Sequence, residues 1–516
     1  MTKRLLIAAF LSLATGSTFA GGLLTNTNQS VHFLRNPARD ASTEIDAVYT
    51  NPAGLTFLSD GFHLALTNQS VFQTRTITST FDGYKYADDN NGNATKVFNG
   101  EASAPIVPSF QLAYKKGKYV FSTSFSITGG GGKATFNNGL SSFESQVAKT
   151  PLALNAKGIS TTGYSVQSYM EGRQYIFGWQ INGSSKINEN LSAAMGMRLN
   201  IINSSYEGYL RNIQFTVNNS NMTANALYGY LATSATNTAS SLNALSASTS
   251  SISQLVTAGY LTQAQATKLS TGLGKDISSY TVAQVQSAFT NTATAYTVAA
   301  NTNQDKELDC AQTGWGVTPV IGLNYHISKL NIAAKYEFRT SLNIQNNTKV
   351  NTTGVAAYDD GVNTPNDIPA LLTVGGEYQL CKKLKVSGGY HHFFDSDAKM
   401  ANNKQQYING GVNEYLFGAE YSINDVLMVS AGGQVTRTGA TDAYQSDMSF
   451  SLNSYSIGFG GAVKITPDLR LNIAYFFTNY SDWTKASTNY NGTTLSGIDV
   501  FSRTNKVFGI GLDCKF

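Results

Sequence analysis

Apolar and polar residues alternate in many segments of this chain. In the segment 331–342 one row of alternate residues is apolar, namely Ile332, Ala334, Tyr336 and Phe338, and the other carries Lys335, Glu337 and Arg339. A period of two residues predicts a β-strand with two different faces. A charge facing lipid near the middle of a bilayer costs roughly 2–4 kcal/mol. We therefore expect the apolar row to face lipid and the charged row to face an enclosed lumen.

The same alternation recurs along the chain, in segments separated by short turns and longer connections in turn. The predicted strands are 61–79, 108–115, 118–129, 169–184, 191–210, 314–327, 330–349, 370–381, 384–397, 406–422, 427–440, 449–465, 469–482 and 502–516. The last one ends the chain on an aromatic residue, Phe516. This pattern predicts an all-β fold, a 14-stranded antiparallel transmembrane β-barrel over 61–516.

The first twenty residues have the features of an export signal. Lys3 and Arg4 precede the apolar run "LLIAAFLSLA", and small residues follow up to Ala20. This order predicts a signal peptide over 1–20, cleaved after Ala20. An uncleaved anchor is the alternative, although the apolar run is short for a spanning helix.

Composition excludes several classes of function. Charged residues make up only 13% of the 516 residues, and the net charge of +4 is too small for a nucleic-acid-binding surface. Three isolated cysteines, Cys310, Cys381 and Cys514, indicate neither a disulfide framework nor a metal site. We expect no metal and no cofactor.

An enzyme is also not expected. The only local cluster of catalytic residue types is His391 and His392 beside Asp395 and Asp397. Neighbouring residues of a strand point to opposite faces, so at most one of the two histidines can look inward.

The connection over 211–313 is unusually long and rich in Ala, Ser, Thr and Asn. Leu242, Leu245, Ile252, Leu255 and Val256 share one helical face, as do Val282, Val285 and Phe289. We predict two or three weakly amphipathic helices in an extracellular loop. A disordered low-complexity loop is the alternative.

The segment before the first strand does not alternate, and it contains the tripeptide Asn-Pro-Ala twice, at Asn36 and at Asn51. The second copy lies in "DAVYTNPAGL", just before the first of fourteen strands. In this position it resembles the FadL/TodX family of outer-membrane transporters for hydrophobic compounds. The resemblance implies that residues 21–60 form a hatch inside the barrel, with Asn51, Pro52, Ala53 and Gly54 as its motif.

The resemblance also implies a function. It implies passive uptake of long-chain fatty acids or other apolar small molecules across the outer membrane of a Gram-negative bacterium, by a monomer in contact with outer-membrane lipid. A porin or an adhesin-like surface antigen is the alternative function, and a secreted soluble β protein is a third.

Inward cations are candidates for binding the carboxylate of such a ligand. Arg198, Lys335 and Arg339 are predicted to face the lumen, close to Glu337. The alternative is that they form a structural charge ladder with Glu337 and Glu377.

The third predicted strand runs into four consecutive glycines. Gly129, Gly130, Gly131 and Gly132 would allow the strand to bend or break. In the FadL/TodX family a kink in the third strand opens a side exit into the bilayer, so the resemblance implies a lateral opening here. An ordinary flexible loop base is the alternative.

Overall fold

The computed structural model describes residues 23–516, so the predicted signal peptide over 1–20 lies outside the described residues. Fourteen antiparallel strands form one sheet. They are β1 (Gly61–Phe81), β2 (Thr95–Lys116), β3 (Tyr119–Phe136), β4 (Thr161–Lys186), β5 (Leu191–Val217), β6 (Lys306–Ile327), β7 (Leu330–Glu337 and Asn343–Asn351), β8 (Asn363–Pro365 and Leu371–Cys381), β9 (Leu384–Phe393), β10 (Val412–Ser422), β11 (Leu427–Arg437), β12 (Ser454–Thr466), β13 (Leu469–Tyr480 and Trp483–Ser487) and β14 (Gly497–Lys515).

The sheet closes on itself because β1 pairs with β14 over its whole length, from His63 opposite Lys515 to Phe81 opposite Gly497. Each of the other strands pairs with its neighbours in the sequence. A short segment, Ser220–Thr223, only extends a hairpin on β5. The prediction of a 14-stranded antiparallel barrel is confirmed.

The two faces of the wall are those that the alternation predicts. On β5, Met195 is 71% exposed and Met197 is 52% exposed. The next residue, Arg198, points to the other face and is 3% exposed. On β7, Ile332 is outward and exposed, and Lys335 and Glu337 are buried inside. An apolar outer band with polar groups inside is typical of a barrel that spans a membrane.

Six short turns and both ends of the barrel sequence share one rim, which we name the turn rim, and the longer connections share the other, the loop rim. Strands β1 to β6 and β14 extend farther toward the loop rim than predicted, and β2 begins at Thr95 instead of 108. Strands β9 to β12 end a few residues short of their predicted bounds there. Outside the apolar band the outward residues become polar and pair across strands, as in the bond between the Thr80 and Thr95 hydroxyls. Hydrophobic alternation therefore marks the band and misses these extensions.

The segment 23–60 lies inside the barrel and is almost entirely buried. It contains two short helices, α1 (Val31–Arg35) and α2 (Ala47–Thr50), and a 3₁₀-helix over Pro52–Phe57. We name this segment the hatch.

Helices also occur in two connections at the loop rim. Helix α3 (Ser141–Asn155) joins β3 to β4, and the connection after β5 holds α4 (Ala224–Ser241), α5 (Ile252–Thr257), α6 (Gln263–Leu273) and α7 (Val282–Thr302). Four helices form where two or three were predicted, because three of them begin at their own capping boxes: Ser251 with Gln254, Thr262 with Gln265, and Thr281 with Gln284.

The predicted apolar faces of these helices pack together into a small core that contains Leu242, Ile252, Leu255, Val282, Val285 and Phe289. Within residues 23–516, every helix is too short or too polar to cross a membrane.

Candidate functional site: a hatch inside the barrel and a gap in its wall

Both Asn-Pro-Ala tripeptides form the same local turn. The side-chain oxygen of Asn36 accepts a hydrogen bond from the Ala38 amide at 3.2 Å, and that of Asn51 accepts one from the Ala53 amide at 3.2 Å. Proline locks its own φ at a value that suits a turn, and the asparagine side chain closes the turn by accepting from the backbone amide two residues further on. The same side-chain hydrogen bond therefore closes both turns of the hatch.

Each turn is fixed to the barrel wall, the first through the Ser387 hydroxyl, which donates to the Asn36 side-chain oxygen at 3.2 Å. The Asn51 amide donates to the carbonyl oxygens of Leu323 and Ala334 at 3.0 and 3.2 Å. The hydroxyls of Ser184 and Ser192 donate to the carbonyls of Pro52 and Ala53, both at 2.8 Å.

The wall carries glycine where these turns approach it. A Cβ atom at Gly322 would lie 2.3 Å from the Asn51 side-chain oxygen, and one at Gly418 would lie 1.9 Å from that of Asn36. A Cβ at Gly54 of the hatch motif would lie 2.1 Å from the Ser42 carbonyl oxygen. The close approach of hatch and wall requires glycine at Gly322 and Gly418, and the packing of the hatch on itself requires it at Gly54.

A network of buried charges joins the hatch to the wall near the turn rim. Arg39 binds Asp46 at 2.7 Å and Glu44 at 2.7 Å within the hatch, and Glu420 on β10 at 3.1 Å. Arg35 also pairs with Glu420. Arg470 on β13 joins Glu44 at 2.9 Å, and Asp513 lies 2.9 Å from Arg470 and 3.0 Å from the His32 ring.

The charge state of the hatch follows from this network. Burial alone would raise the pKa of Asp46, but the guanidinium of Arg39 holds this pKa below its ordinary value. Burial opposes ionisation of Glu44 as well, and Arg470 and Arg39 lower the pKa of Glu44 well below the usual range. Both carboxylates are therefore ionised at neutral pH, and their ion pairs hold the hatch.

The structure brings three of the four predicted lumen charges together. Glu337 pairs with Arg198 and accepts from the Lys335 ammonium at 2.6 Å. Both cations face the ring of Tyr49 in the hatch, at 5.1 and 5.0 Å from its centroid, and Lys335 also donates to the Tyr49 carbonyl at 3.1 Å. The group is paired internally and braces the hatch.

Arg339 lies apart from this group. It falls in the break between the two parts of β7, and its side chain is 46% exposed. It donates to the Asp397 carbonyl oxygen at 2.8 Å. Glu377 pairs with Lys385 at 3.3 Å, nearer the turn rim.

The wall is interrupted between β2 and β3. The two strands pair up to Ala102 with Ala134, and again from Phe110 with Phe125. Residues 103–109 of β2 and 126–133 of β3 do not pair with each other, although each strand keeps its other neighbour. We name this interruption the wall gap.

The glycine run lies at the wall gap. β3 changes register against β4 between Ile127 and Gly129 and between Gly130 and Gly132. Gly130 and Gly132 have φ of +81° and +78°, and a Cβ at Gly130 would lie 2.2 Å from the Gln174 carbonyl oxygen. Gly131 lies between them in the same strand. The kink in β3 therefore depends on glycine.

Sequence reasoning missed the other edge of the gap. Pro105 and Pro108 lie in β2 opposite the glycine run, and proline has no N–H to donate to a neighbouring strand. Two prolines within one otherwise alternating strand were the available signal for an edge.

The start of the hatch covers the gap from inside. The Asn26 amide donates to the Thr128 carbonyl at 3.0 Å, and the Gly130 amide donates to the Leu24 carbonyl at 3.3 Å. On the other edge, Ser109 donates to the Gln29 carbonyl at 2.8 Å. The hatch thus satisfies polar groups that the interrupted ladder leaves open.

The surroundings of the gap are apolar. Inside, Ala104 and Val107 pack on a hatch cluster that includes Val31, Phe33 and Leu34. Outside, Ile106 is 73% exposed, and a surface groove of about 520 Å³ is lined in part by Pro108, Phe110 and Phe125.

His391 and His392 point to opposite faces of β9, as neighbouring residues of a strand must. His391 is buried between Asp40 of the hatch, at 2.8 Å, and Glu414 of β10, at 2.9 Å. His392 bonds Asn413 at 2.9 Å. In the part of the chain that the structure describes, no group of three His, Cys, Asp or Glu residues is placed to hold a metal ion.

Fourteen strands, an internal hatch and a gap in the wall define the class of molecule, a hatch-plugged β-barrel. No protein-family model and no curated protein matches the sequence. Among solved structures the chain is similar to a FadL homologue of Pseudomonas aeruginosa, with a TM-score of 0.55 at 12% identity, over 96% of this chain and 100% of that one. This likeness confirms the predicted resemblance to FadL at the level of the fold.

Two toluene transporters are also similar, at lower TM-scores. TbuX of Ralstonia pickettii gives 0.47 at 13% identity, over 98% of this chain and 99% of that one. TodX of P. putida gives 0.47 at 15% identity, over 92% and 94%.

Proposed function

We propose that this protein carries hydrophobic small molecules passively across the outer membrane of a Gram-negative bacterium and releases them sideways through the wall gap. The gap between β2 and β3, apolar on both sides, is the observation that carries this proposal. A molecule that leaves there enters the bilayer without crossing the charged network near the turn rim.

The hatch supports a selective route. Its ion pairs and its two wall-bound turns fill the lumen between the apolar clusters and the turn rim. An open water channel would instead need a continuous polar lumen, as in porins. A ligand opens the hatch only to the extent that it binds the displaced state more tightly.

The substrate class is an apolar molecule such as a long-chain fatty acid or an aromatic hydrocarbon. Each buried CH₂ contributes about 0.8 kcal/mol. The FadL homologue and the toluene transporters share this overall layout, and hydrophobic transport is consistent with it. Neither a cofactor nor catalysis is part of the proposal, and the barrel functions as a monomer.

Of the predicted charges, Arg198, Lys335 and Glu337 brace the hatch through Tyr49 in this proposal, and do not hold the ligand carboxylate. Their mutual pairing supports this role, because each charge already has a partner. Arg339 is half-exposed near the loop rim and forms only a long ion pair, with Asp367 at 3.8 Å, so it is the candidate in this proposal for contact with the carboxylate of an entering ligand.

The test compares apolar probes with a polar one in cells that lack their own transporter for hydrophobic compounds. Expression of this protein should accelerate uptake of radiolabelled decanoate and toluene, and should leave uptake of a disaccharide at the level of empty cells. A porin would instead admit the disaccharide and conduct ions, and an adhesin-like antigen would change neither uptake. Either of these two results would overturn the proposal.

A further inference from the structure

Two neighbouring grooves lie on the outer face of the barrel wall, apart from the lumen and the wall gap. The first has a volume of about 610 Å³ and the second about 650 Å³. Phe121, Gly183 and Met195 line both of them, so the grooves lie side by side on β3, β4 and β5. The first extends to Tyr114 on β2, and the second extends to Leu372 on β8.

Small outward residues give the second groove its depth. Gly183, Ser185 and Ala193 occupy outward positions near the turn rim on β4 and β5, in rows that carry Ile181 and Met197 farther along. A Cβ atom at Gly183 would meet nothing within 4 Å. The wall therefore leaves this space for a molecule from the surrounding membrane.

The second groove descends from the turn rim into the apolar band. A row of paired residues passes through it from Phe121 by way of Met195 to Leu372. Phe121 lies close to the turn-rim end of β3, which begins at Tyr119, whereas Leu372 lies far from the turn-rim end of β8, at Cys381. Because the strands of such barrels are tilted, a row of this kind crosses the bilayer obliquely.

Two lysines lie where the grooves reach the turn rim. Lys116 continues the outward row of Leu112 and Tyr114 on β2. The ammonium of Lys118 lies 5.1 Å from the centroid of the Tyr119 ring, which lines the second groove. Both lysines are exposed, and among the residues that the structure describes neither forms an ion pair with a carboxylate.

The acidic groups of this part of the rim are matched by other cations. Asp60 accepts from the Lys115 ammonium at 2.6 Å and from the Gly117 amide at 3.1 Å. Glu189, in the turn between β4 and β5, shares that turn with Lys186. The rim above the grooves therefore has a surplus of positive charge.

We infer that the two grooves and the lysines above them bind a phospholipid with a net negative head group from the periplasmic leaflet of the outer membrane. Its phosphate would accept from Lys116 and Lys118, and its acyl chains would lie in the grooves. The short turns of such barrels face the periplasm, which assigns the lipid to that leaflet.

Charge complementarity decides the class of lipid. Lipid tails are as apolar as the groove, so packing in the grooves does not distinguish one head group from another. Lysines at a membrane surface favour lipids with a negative head. The inference rests on the outer-membrane location in the proposed function, and it is independent of the transported molecule.

The test measures binding of dioleoyl phosphatidylglycerol and dioleoyl phosphatidylethanolamine to the purified barrel in detergent by native mass spectrometry. The two lipids have identical chains, and only the first has a net negative charge. Since each lysine contributes about fivefold, wild type should bind phosphatidylglycerol about 20-fold more tightly. Lys116→Gln and Lys118→Gln should each remove about fivefold of this preference and leave phosphatidylethanolamine binding unchanged. Lys382→Gln, which removes an exposed lysine of the same rim between β8 and β9, is the matched control and should keep the full preference.

A second pair of variants tests the position of the acyl chains. Ala193→Leu fills part of the second groove and should weaken binding of both lipids severalfold. Ala431→Leu adds the same bulk at an exposed outward position of β11, away from both grooves, and should change neither. Unchanged binding by a folded Ala193→Leu barrel would overturn the placement of the chains.

Heat resistance separates lipid binding from a structural role of the lysines. A ligand that binds only the folded barrel stabilises it, so phosphatidylglycerol should raise the temperature of the gel-mobility shift of wild type. The double variant Lys116→Gln with Lys118→Gln should match wild type without lipid and should lose this rise. A lower temperature without lipid, together with a rise as large as in wild type, would show a structural role and overturn the inference.

The remaining outcomes are also distinguishable. Equal affinity of wild type for the two lipids, or a loss of preference in Lys382→Gln as large as in Lys118→Gln, would overturn a defined site. A lipid-free dimer that Ala193→Leu dissociates would make the grooves an interface between two copies of the chain and would overturn the lipid as their occupant. Each of these results leaves hydrophobic uptake standing, whereas absent decanoate uptake with intact lipid selectivity would overturn the proposed transport alone.

Discussion

Arg39 is the centre of the charge network that holds the hatch, so its removal should open the barrel. Its guanidinium binds Asp46 through two nitrogens at 2.7 and 2.8 Å, Glu44 at 2.7 Å and Glu420 at 3.1 Å. The substitution Arg39→Met keeps the length of the side chain and leaves Asp46 as a fully buried carboxylate without its cation.

The size of the expected effect follows from the burial of the Asp46 carboxylate. Removing one partner of a buried ion pair costs about 3–5 kcal/mol. With a tenfold change for about each 1.4 kcal/mol, the ratio of docked to displaced hatch should fall by about two to four orders of magnitude. Glu420 keeps Arg35 and Lys385, so the wall itself should remain folded.

The assay is ion conductance of the purified protein in a planar bilayer. Arg39→Met should show frequent open events where wild type shows few, and the double variant Arg39→Met with Asp46→Asn should recover part of the closed state because it removes the stranded charge. Arg211→Met is the control, since the Arg211 pair with Glu307 is 42% and 46% exposed and contributes about 1 kcal/mol or less. Wild-type conductance from a correctly folded Arg39→Met barrel would refute the assignment of the network as the hatch anchor.

Three further predictions follow from particular contacts. Gly322→Ala should displace the hatch and raise conductance, because the new Cβ would lie 2.3 Å from the Asn51 oxygen, whereas Gly183→Ala has open space and should not; equal conductance from both would contradict the docking of this turn. Met195→Lys should block assembly into membranes at a cost of about 2–4 kcal/mol, whereas Tyr260→Lys, at a similarly exposed position between α5 and α6, should assemble normally; normal assembly of both would argue against the lipid-facing band. Burial raises the pKa of Asp395 to about 7, so the folded protein binds its proton more tightly than the unfolded chain and should lose stability as pH rises from about 4 to 7; Asp395→Asn should flatten this dependence in the temperature of the gel-mobility shift, and an unchanged slope would count against it.

The strand pattern was predictable because it is local. The face of the wall to which a side chain on β5 or β7 points follows from the alternation with its neighbours. The outward rows that contain Met195 and Ile332 could therefore be assigned from the sequence. The extensions toward the loop rim, such as Thr95 of β2, carry no hydrophobic signal and were missed. Four loop helices formed where fewer were expected, because their N-terminal caps are polar residues that a hydrophobic pattern does not detect.

The site was less predictable because its contacts join distant parts of the chain. Arg35 and its partner Glu420 are 385 residues apart, and nothing near either residue indicates the other. Arg198 and Lys335 could be placed in the lumen, but their shared partner Tyr49 comes from the hatch. Arg75 on β1 lies opposite Arg503 on β14 only because the barrel closes and brings the first and last strands together.

Release through the wall gap is the central claim, and uptake by a variant with an altered gap tests it most directly. Gly130→Ala places a Cβ 2.2 Å from the Gln174 carbonyl at a residue with φ of +81°, so the kink of β3 must change, whereas Gly183→Ala on β4 has no such contact. With both variants folded and equally non-conducting, we expect decanoate uptake to fall severalfold in Gly130→Ala and to equal wild type in Gly183→Ala. Wild-type uptake by Gly130→Ala would contradict the lateral route.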